Sequence, residues 1–355
     1  MKKVLATILA LVMALSVTTM AWADDVAKIG NTGYATLKEA IEHVANGETI
    51  VLTANVNNGD GIVVASGKNF TLDFAGHTYT ITQNVVGSTG TESQCFQLLK
   101  DSTITMKDGT IVANCAGAKM IIQNYCNLTL DNMILNATAG DNNVGYVVSN
   151  NCGNVVIKNG TTITAKTTGV AFDVYGGFGD YGDVSVTLEA GATVNGKVEV
   201  ARDTGTQNKN TLTVTGGTVN GELAVTQNAK TEVAVTGGTF SSDVSAYAAG
   251  NTPVASNNGT YYVGAETIQN AANTLSAGQQ LKIEKGTVTI NGNTVTAGTS
   301  YTVPSRYYYY QPTTDTKTTD TKGSPKTFDA GIALYVGMAL TSAAGVAFVG
   351  KKRED

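Results

Sequence analysis

The chain has 355 residues, with 40 glycines and only 4 prolines, and threonine, asparagine and valine recur along its length. That composition fits a turn-rich β protein and speaks against a helical bundle. A formal charge of −5, a pI near 5.2 and only two arginines before residue 324, Arg202 and Arg306, leave no basic footprint, which excludes nucleic acid as an expected partner.

In chain order, Lys2 and Lys3 come first and precede an apolar run over 4–17. Ala21-Trp22-Ala23 then puts small residues at the −3 and −1 positions of a cleavage point before Asp24. Residues 1–23 read as a signal peptide removed by signal peptidase, which predicts an extracellular chain. Thr36-Leu37-Lys38-Glu39 is a capping box, and Leu37, Ala40, Ile41 and Val44 follow at helical spacing before Gly47 and a strand at 50–52. A helix over 36–45 is therefore expected, within an amino-terminal cap at 24–56.

Residues 57–250 repeat one pattern. "KNFTLDFAGHTYTIT" (68–82), "STITMKDGTIVA" (102–113), "NLTLDNMILNA" (127–137), "NVVIKNGTTITA" (154–165), "DVSVTLEAGATVNG" (183–196), "NTLTVTGGTVNG" (210–221) and "TEVAVTGGTFSS" (231–242) each give a short alternating strand, a polar or glycine turn and a second strand. From the second copy onward the period is roughly 21 to 30 residues, the length of a solenoid turn. Period-2 alternation puts Ile104 and Met106, Leu128 and Leu130, Val155 and Ile157, and Leu212 and Val214 on one face, which only stacked turns can bury. Strands of about three to five residues divided by glycine corners do not make the long hairpins of a sandwich. The expected fold is mainly β, a right-handed parallel β-helix with short helical caps.

Two turns align closely: "MIIQNYCNLTL" (120–130) lies over "YVVSNNCGNVVI" (146–157), so Asn124 meets Asn150 and Cys126 meets Cys152. The asparagines read as a structural ladder at a corner. Cys126 and Cys152 come close enough for a disulfide, leaving Cys95 and Cys115 as the other pair; the alternative is four buried thiols. No metal site is expected, because Cys-x-x-Cys is absent and His43 and His77 lie in different elements.

Chemistry is most concentrated in "AFDVYGGFGDYGDVSV" (171–186), which holds Asp173, Asp180 and Asp183 beside Tyr175, Phe178 and Tyr181; Glu199, Arg202 and Asp203 follow on the next turn. Folded over a lateral groove, these carboxylates would suit Ca²⁺ and the rings would stack on a sugar. The alternative is a glycine-permitted loop with solvated acids and rings packed on the turn beneath. Asp73, Asp108 and Asp131 recur at one corner of successive turns, where aspartate suits turn geometry, and His77 occupies such a corner too.

Residues 251–305 form a carboxy-terminal cap or small module. There Thr267, Ile268, Ala271, Ala272, Leu275 and Gly278 repeat the amino-terminal helix pattern, with the same Thr-to-Gly spacing, and predict a helix over 267–275. Residues 306–323, "RYYYYQPTTDTKTTDTKG", carry no large aliphatic residue and read as a disordered wall spacer, with Tyr307 to Tyr310 packing on the last folded layer or stacking on a sugar. The span 330–350 is uncharged and, at about 1.5 Å per residue, long enough to cross roughly 30 Å of hydrocarbon. Lys351, Lys352 and Arg353 hold its end on the cytoplasmic side.

Ser324-Pro325-Lys326-Thr327-Phe328 ahead of that span and its basic tail resembles the cell-wall sorting signal of Gram-positive surface proteins, Leu-Pro-x-Thr-Gly. Pro325 and Thr327 match, while Ser324 and Phe328 depart from the pattern. The resemblance implies a sortase that cuts after Thr327; the departure at Phe328 implies a sortase of different specificity or retention as a membrane anchor. An extracellular parallel β-helix in turn resembles two groups, enzymes of the pectate-lyase type and surface adhesins. The expectation is an adhesin-like protein at the cell surface, anchored to membrane or wall, which binds host or matrix glycans or proteins without catalysis. The alternatives are a polysaccharide lyase or hydrolase centred on Asp173, Asp180, Asp183 and Arg202, and a structural wall protein.

Overall fold

The computed structural model describes residues 25–90 and 92–305; the expected signal peptide at 1–23, and the spacer, sorting motif and membrane span expected over 306–355, lie outside the described residues. Among the described residues no helix is long and apolar enough to cross a membrane.

Alternation in sequence becomes stacking in space. Ile50, Leu72, Met106, Leu130, Ile157, Leu188, Val214 and Val235 sit in register on successive parallel strands, each at most 1% exposed. Two further inward rows run beside them: Tyr79, Ile111, Leu135, Ile163, Val194, Val219 and Phe240, and Ile62, Phe96, Ile122, Val148, Phe172, Val198 and Leu223. The three rows enclose one core. Burying each such side chain contributes about 1.5–3 kcal/mol, and no turn completes the core without its neighbours. The result is a mainly β, β-solenoid-like fold with a 20-stranded sheet, which includes the capping strands, and a 7-stranded parallel sheet.

Two copies of the repeat differ from the expected short strands. Thr103–Ala113 and Asn127–Asn136 each run as one strand around the corner. Asp108 and Asn132 make the bend there in the left-handed region, at φ 56° and 54°, and the Asn132 amide donates to the Asp108 carboxylate at 2.9 Å. Asp108 is therefore one residue out of step with Asp73 and Asp131. Those two share a row with Lys107, which pairs with Asp73 at 2.9 Å, while Lys158 pairs with Asp131 at 3.4 Å. On the outward side of the same flank, Thr71, Thr105, Thr129, Val156, Thr187 and Thr213 form a row in register.

Both ends of the large sheet reverse direction. At the amino end, Ala27–Ile29 pairs antiparallel with Thr49–Leu52, and helix α1 (Leu37–His43) packs Leu37, Ala40 and Ile41 inward. The Thr36 hydroxyl caps α1 by accepting from the Glu39 N–H at 3.1 Å. At the other end, Thr260–Val263 pairs antiparallel with Gly238–Phe240. Beyond it Val254–Asn257, Gln280–Lys285 and Ser300–Thr302 continue antiparallel around a second small core of Ile268, Leu281, Ile283 and Ile290.

Helix α2 (Ala265–Thr274) belongs to this second core and starts earlier than expected. Its N-cap is Gly264 at φ 89°, not Thr267. A residue with positive φ is needed where the chain turns from strand into helix, and a Cβ there would lie 2.9 Å from the Thr236 carbonyl oxygen. Thr267 thus falls inside the first turn.

The Asn124 and Asn150 ladder is present within the stack, at one strand register. The disulfide between Cys126 and Cys152 is not: all four cysteines are thiols. Each of the two sulfurs has a carbonyl acceptor instead, Asn124 Oδ1 at 3.2 Å for Cys126 and the Tyr181 carbonyl at 2.6 Å for Cys152.

Candidate functional site

The inward row of the seven-stranded sheet fixes what its other face shows. Between those apolar residues, Gln97, Gln123, Ser149, Asp173 and Glu199 point outward on neighbouring strands. One step beyond the strand ends, Tyr125, Asn151 and Tyr175 make a second outward row, each held by its backbone N–H to the turn before it. The segment after Tyr175 then brings Phe178 and Tyr181 against Tyr125, with ring centroids 6.3 and 4.7 Å away.

Asp173 is 1% exposed. One carboxylate oxygen accepts from the Asn150 N–H at 2.6 Å and the other from the Ser149 hydroxyl at 3.2 Å. Burial pushes its carboxyl up to about 7, against the opposing pull of the Asn150 hydrogen bond and the Arg202 charge. Arg202 lies on the aromatic wall, its guanidinium carbon 3.9 Å from the Tyr175 ring centroid and 5.8 Å from that of Tyr146. Glu199 accepts from Lys197 at 2.8 Å and from the Tyr146 hydroxyl at 3.1 Å. Asp203 accepts from the Tyr175 hydroxyl at 2.6 Å. The buried carbonyl oxygen of the Asn151 side chain has no hydrogen-bond partner among the described residues.

Of the four residues singled out in sequence, Asp173 and Arg202 are brought together and Asp180 and Asp183 are not. Asp183 is a turn residue whose carboxylate accepts from the Lys209 N–H at 2.9 Å. Asp180 is exposed, and its backbone carbonyl receives Lys100 at 2.8 Å. Asp180 lies in a tight turn closed by the Tyr181 N–H on the Phe178 carbonyl at 3.0 Å. A calcium ion shared by Asp173, Asp180 and Asp183 does not fit this arrangement, since the first is buried with both oxygens engaged and the other two lie elsewhere. Among the described residues no group of three or more His, Cys, Asp or Glu is placed to hold a metal ion.

Tyr125, Tyr146, Ser149 and Asn151 were missed by reasoning on motifs. Their signal was the register itself: extending the Asn124 and Asn150 alignment by one turn puts Ser149 beside Asp173, and by two turns brings in Glu199. A separate cleft of about 500 Å³ lies against α2, lined by Gly217, Thr193, Thr218, Thr239, Tyr262 and Asn270, with Glu266 as its one carboxylate. Without a second acid it offers no paired-carboxylate chemistry.

No family model, curated protein or solved structure matches the chain.

Proposed function

We propose that the chain is an adhesin-like, non-catalytic surface protein: a right-handed parallel β-helix of the pectate-lyase-like kind, exported by its signal peptide and held at membrane or wall by the Ser324 to Phe328 motif and the following span. Its ligand is a host or matrix glycan, received on the outward face of the seven-stranded sheet. One observation carries this reading. Phe178 and Tyr181 are 40% and 37% exposed although they pack in one aromatic cluster with Tyr125 and Tyr175. Large rings left half in water, beside a stacked guanidinium and polar side chains, are what a saccharide needs for stacking on its apolar face and hydrogen bonding at its rim.

Catalysis by Asp173 is the second reading, favoured by a carboxyl near 7 close to Glu199. Its burial, with both oxygens already hydrogen-bonded, supports a positioning role instead. The purified full-length protein on a glycan array, paired with assays for reducing and unsaturated ends, separates the readings. Saturable binding without product, lost in Phe178→Ala, is expected. Product release abolished in Asp173→Asn would establish the enzyme. Silence on glycans, mucin and matrix proteins alike favours a structural wall protein.

A further inference from the structure

We infer that Arg202 is the anchor for a single oxoanion, carboxylate or sulfate, carried by the bound saccharide. This rests on the glycan-binding reading above and names the class of sugar that the face selects.

Arg202 is the one arginine among the described residues, and it is exposed. The five ion pairs among those residues are all made by lysines, so Arg202 has no carboxylate within 4 Å. Acids are nevertheless close, and each is already engaged: Asp173 by Asn150 and Ser149, Glu199 by Lys197 and Tyr146, and Asp203 by Tyr175 and the Gly205 N–H at 2.9 Å. The guanidinium instead lies over the face of Tyr175. Stacking holds the plane of the group and leaves its outward N–H groups as a fork, the geometry that binds a planar or tetrahedral oxoanion through two parallel hydrogen bonds.

The charges facing this point are Asp173, Glu199 and Asp203 against Arg202, Lys197 and, over Tyr181, Lys100. The near-neutral carboxyl of Asp173 removes part of the repulsion that an incoming anion meets at neutral pH. The rings continue from Arg202: Tyr175 to Phe178 is 6.0 Å and Phe178 to Tyr181 is 6.1 Å between centroids, each pair edge to face, so Phe178 and Tyr181 turn their faces in different directions. An oxoanion on Arg202 thus brings the rest of the sugar to the cluster that holds the two exposed rings. Lysine at this position keeps the charge but not the fork.

Titration calorimetry of the full-length protein with 3′-sialyllactose, its carboxyl-reduced form, 6′-sulfolactose and lactose tests this. The acidic sugars are expected to bind roughly 10- to 100-fold more tightly than lactose, the range for hydrogen bonds to a charged group. Arg202→Gln and Arg202→Lys should both erase that preference with an unchanged circular dichroism spectrum, and added salt should weaken only the acidic sugars. Preference for the sialyl or the sulfo compound tells which oxoanion is read. Equal binding of lactose and the acidic sugars, indifferent to Arg202→Gln but lost in Phe178→Ala, overturns the inference and leaves the glycan reading standing. Binding to none of the four overturns the inference, and a blank glycan array beside it overturns the reading as well.

Discussion

Inside the stack the side-chain amide of Asn124 donates to Asn150 Oδ1 at 3.3 Å, and that of Asn150 donates onward to the Asp173 carbonyl at 3.0 Å. The chain of amides ties three successive turns where no water reaches. Asn150→Ala leaves the Asp173 carbonyl and Asn124 short of partners, and each buried group so exposed costs about 1–3 kcal/mol. Urea unfolding should show a clearly lowered midpoint; a midpoint equal to wild type would remove the ladder from the stabilising interactions.

Asp173 gives stability an unusual pH dependence. Its carboxyl sits at about 7 in the fold and near the ordinary carboxylate value when unfolded. Between roughly pH 4 and 7 the folded chain therefore holds more protons than the unfolded one, so stability falls as pH rises through this window and levels off above it. Asp173→Asn keeps the shape and the acceptor for the Asn150 N–H while removing the charge. Melting temperatures at pH 4, 5.5, 7 and 8 should decline less steeply in the variant, and parallel slopes would refute the assignment.

The cysteines should behave as four thiols of unequal reach. Burial raises the Cys126 thiol to about 12 and pushes Cys95 upward too, whereas Cys115 is only partly buried. Alkylation of the native protein followed by mass spectrometry should mark Cys115 before Cys95 and Cys126, and all four after unfolding. A peptide pair joining Cys126 to Cys152 would contradict this.

Much of this arrangement was legible in sequence because a solenoid states the same thing many times. The inward rows, the Asn124 and Asn150 alignment and the approximate sites of both helices follow from periodicity, which single substitutions do not blur. Where a feature occurs once, the pattern is silent. Asp180 and Asp183 follow the strand of Asp173 within ten residues, but Gly176, Gly177, Gly179 and Gly182 allow the intervening loop many paths, and spacing alone does not choose the turn that leaves Asp180 exposed. Thr267 looked like a cap because it repeats Thr36, yet the preceding strand ends on Val263 and is followed by Gly264, whose positive φ starts the helix two residues before Thr267. The aromatic wall was hidden for another reason: its members come from three turns and meet only through register.

Gly264→Ala probes that junction. A side chain at φ 89° with its Cβ 2.9 Å from the Thr236 carbonyl oxygen costs about 1–3 kcal/mol. Hydrogen exchange should rise first in α2 and in the strands of the second core, ahead of the parallel stack. Uniform loosening across both cores would mean the two are one cooperative unit.

The reversed strands at the two ends of the large sheet set a measure. Eight inward positions from Ile50 to Val235 define seven steps, and at roughly 4.8 Å each they amount to about 34 Å. Ala27–Ile29 closes the edge of Thr49–Leu52 and Thr260–Val263 that of Gly238–Phe240, each antiparallel, so those two strands offer no parallel edge on which another copy could continue the count. The flank is a ruler: its reach is written into the number of its turns, and each added copy of the repeat would lengthen it by one step of roughly 4.8 Å.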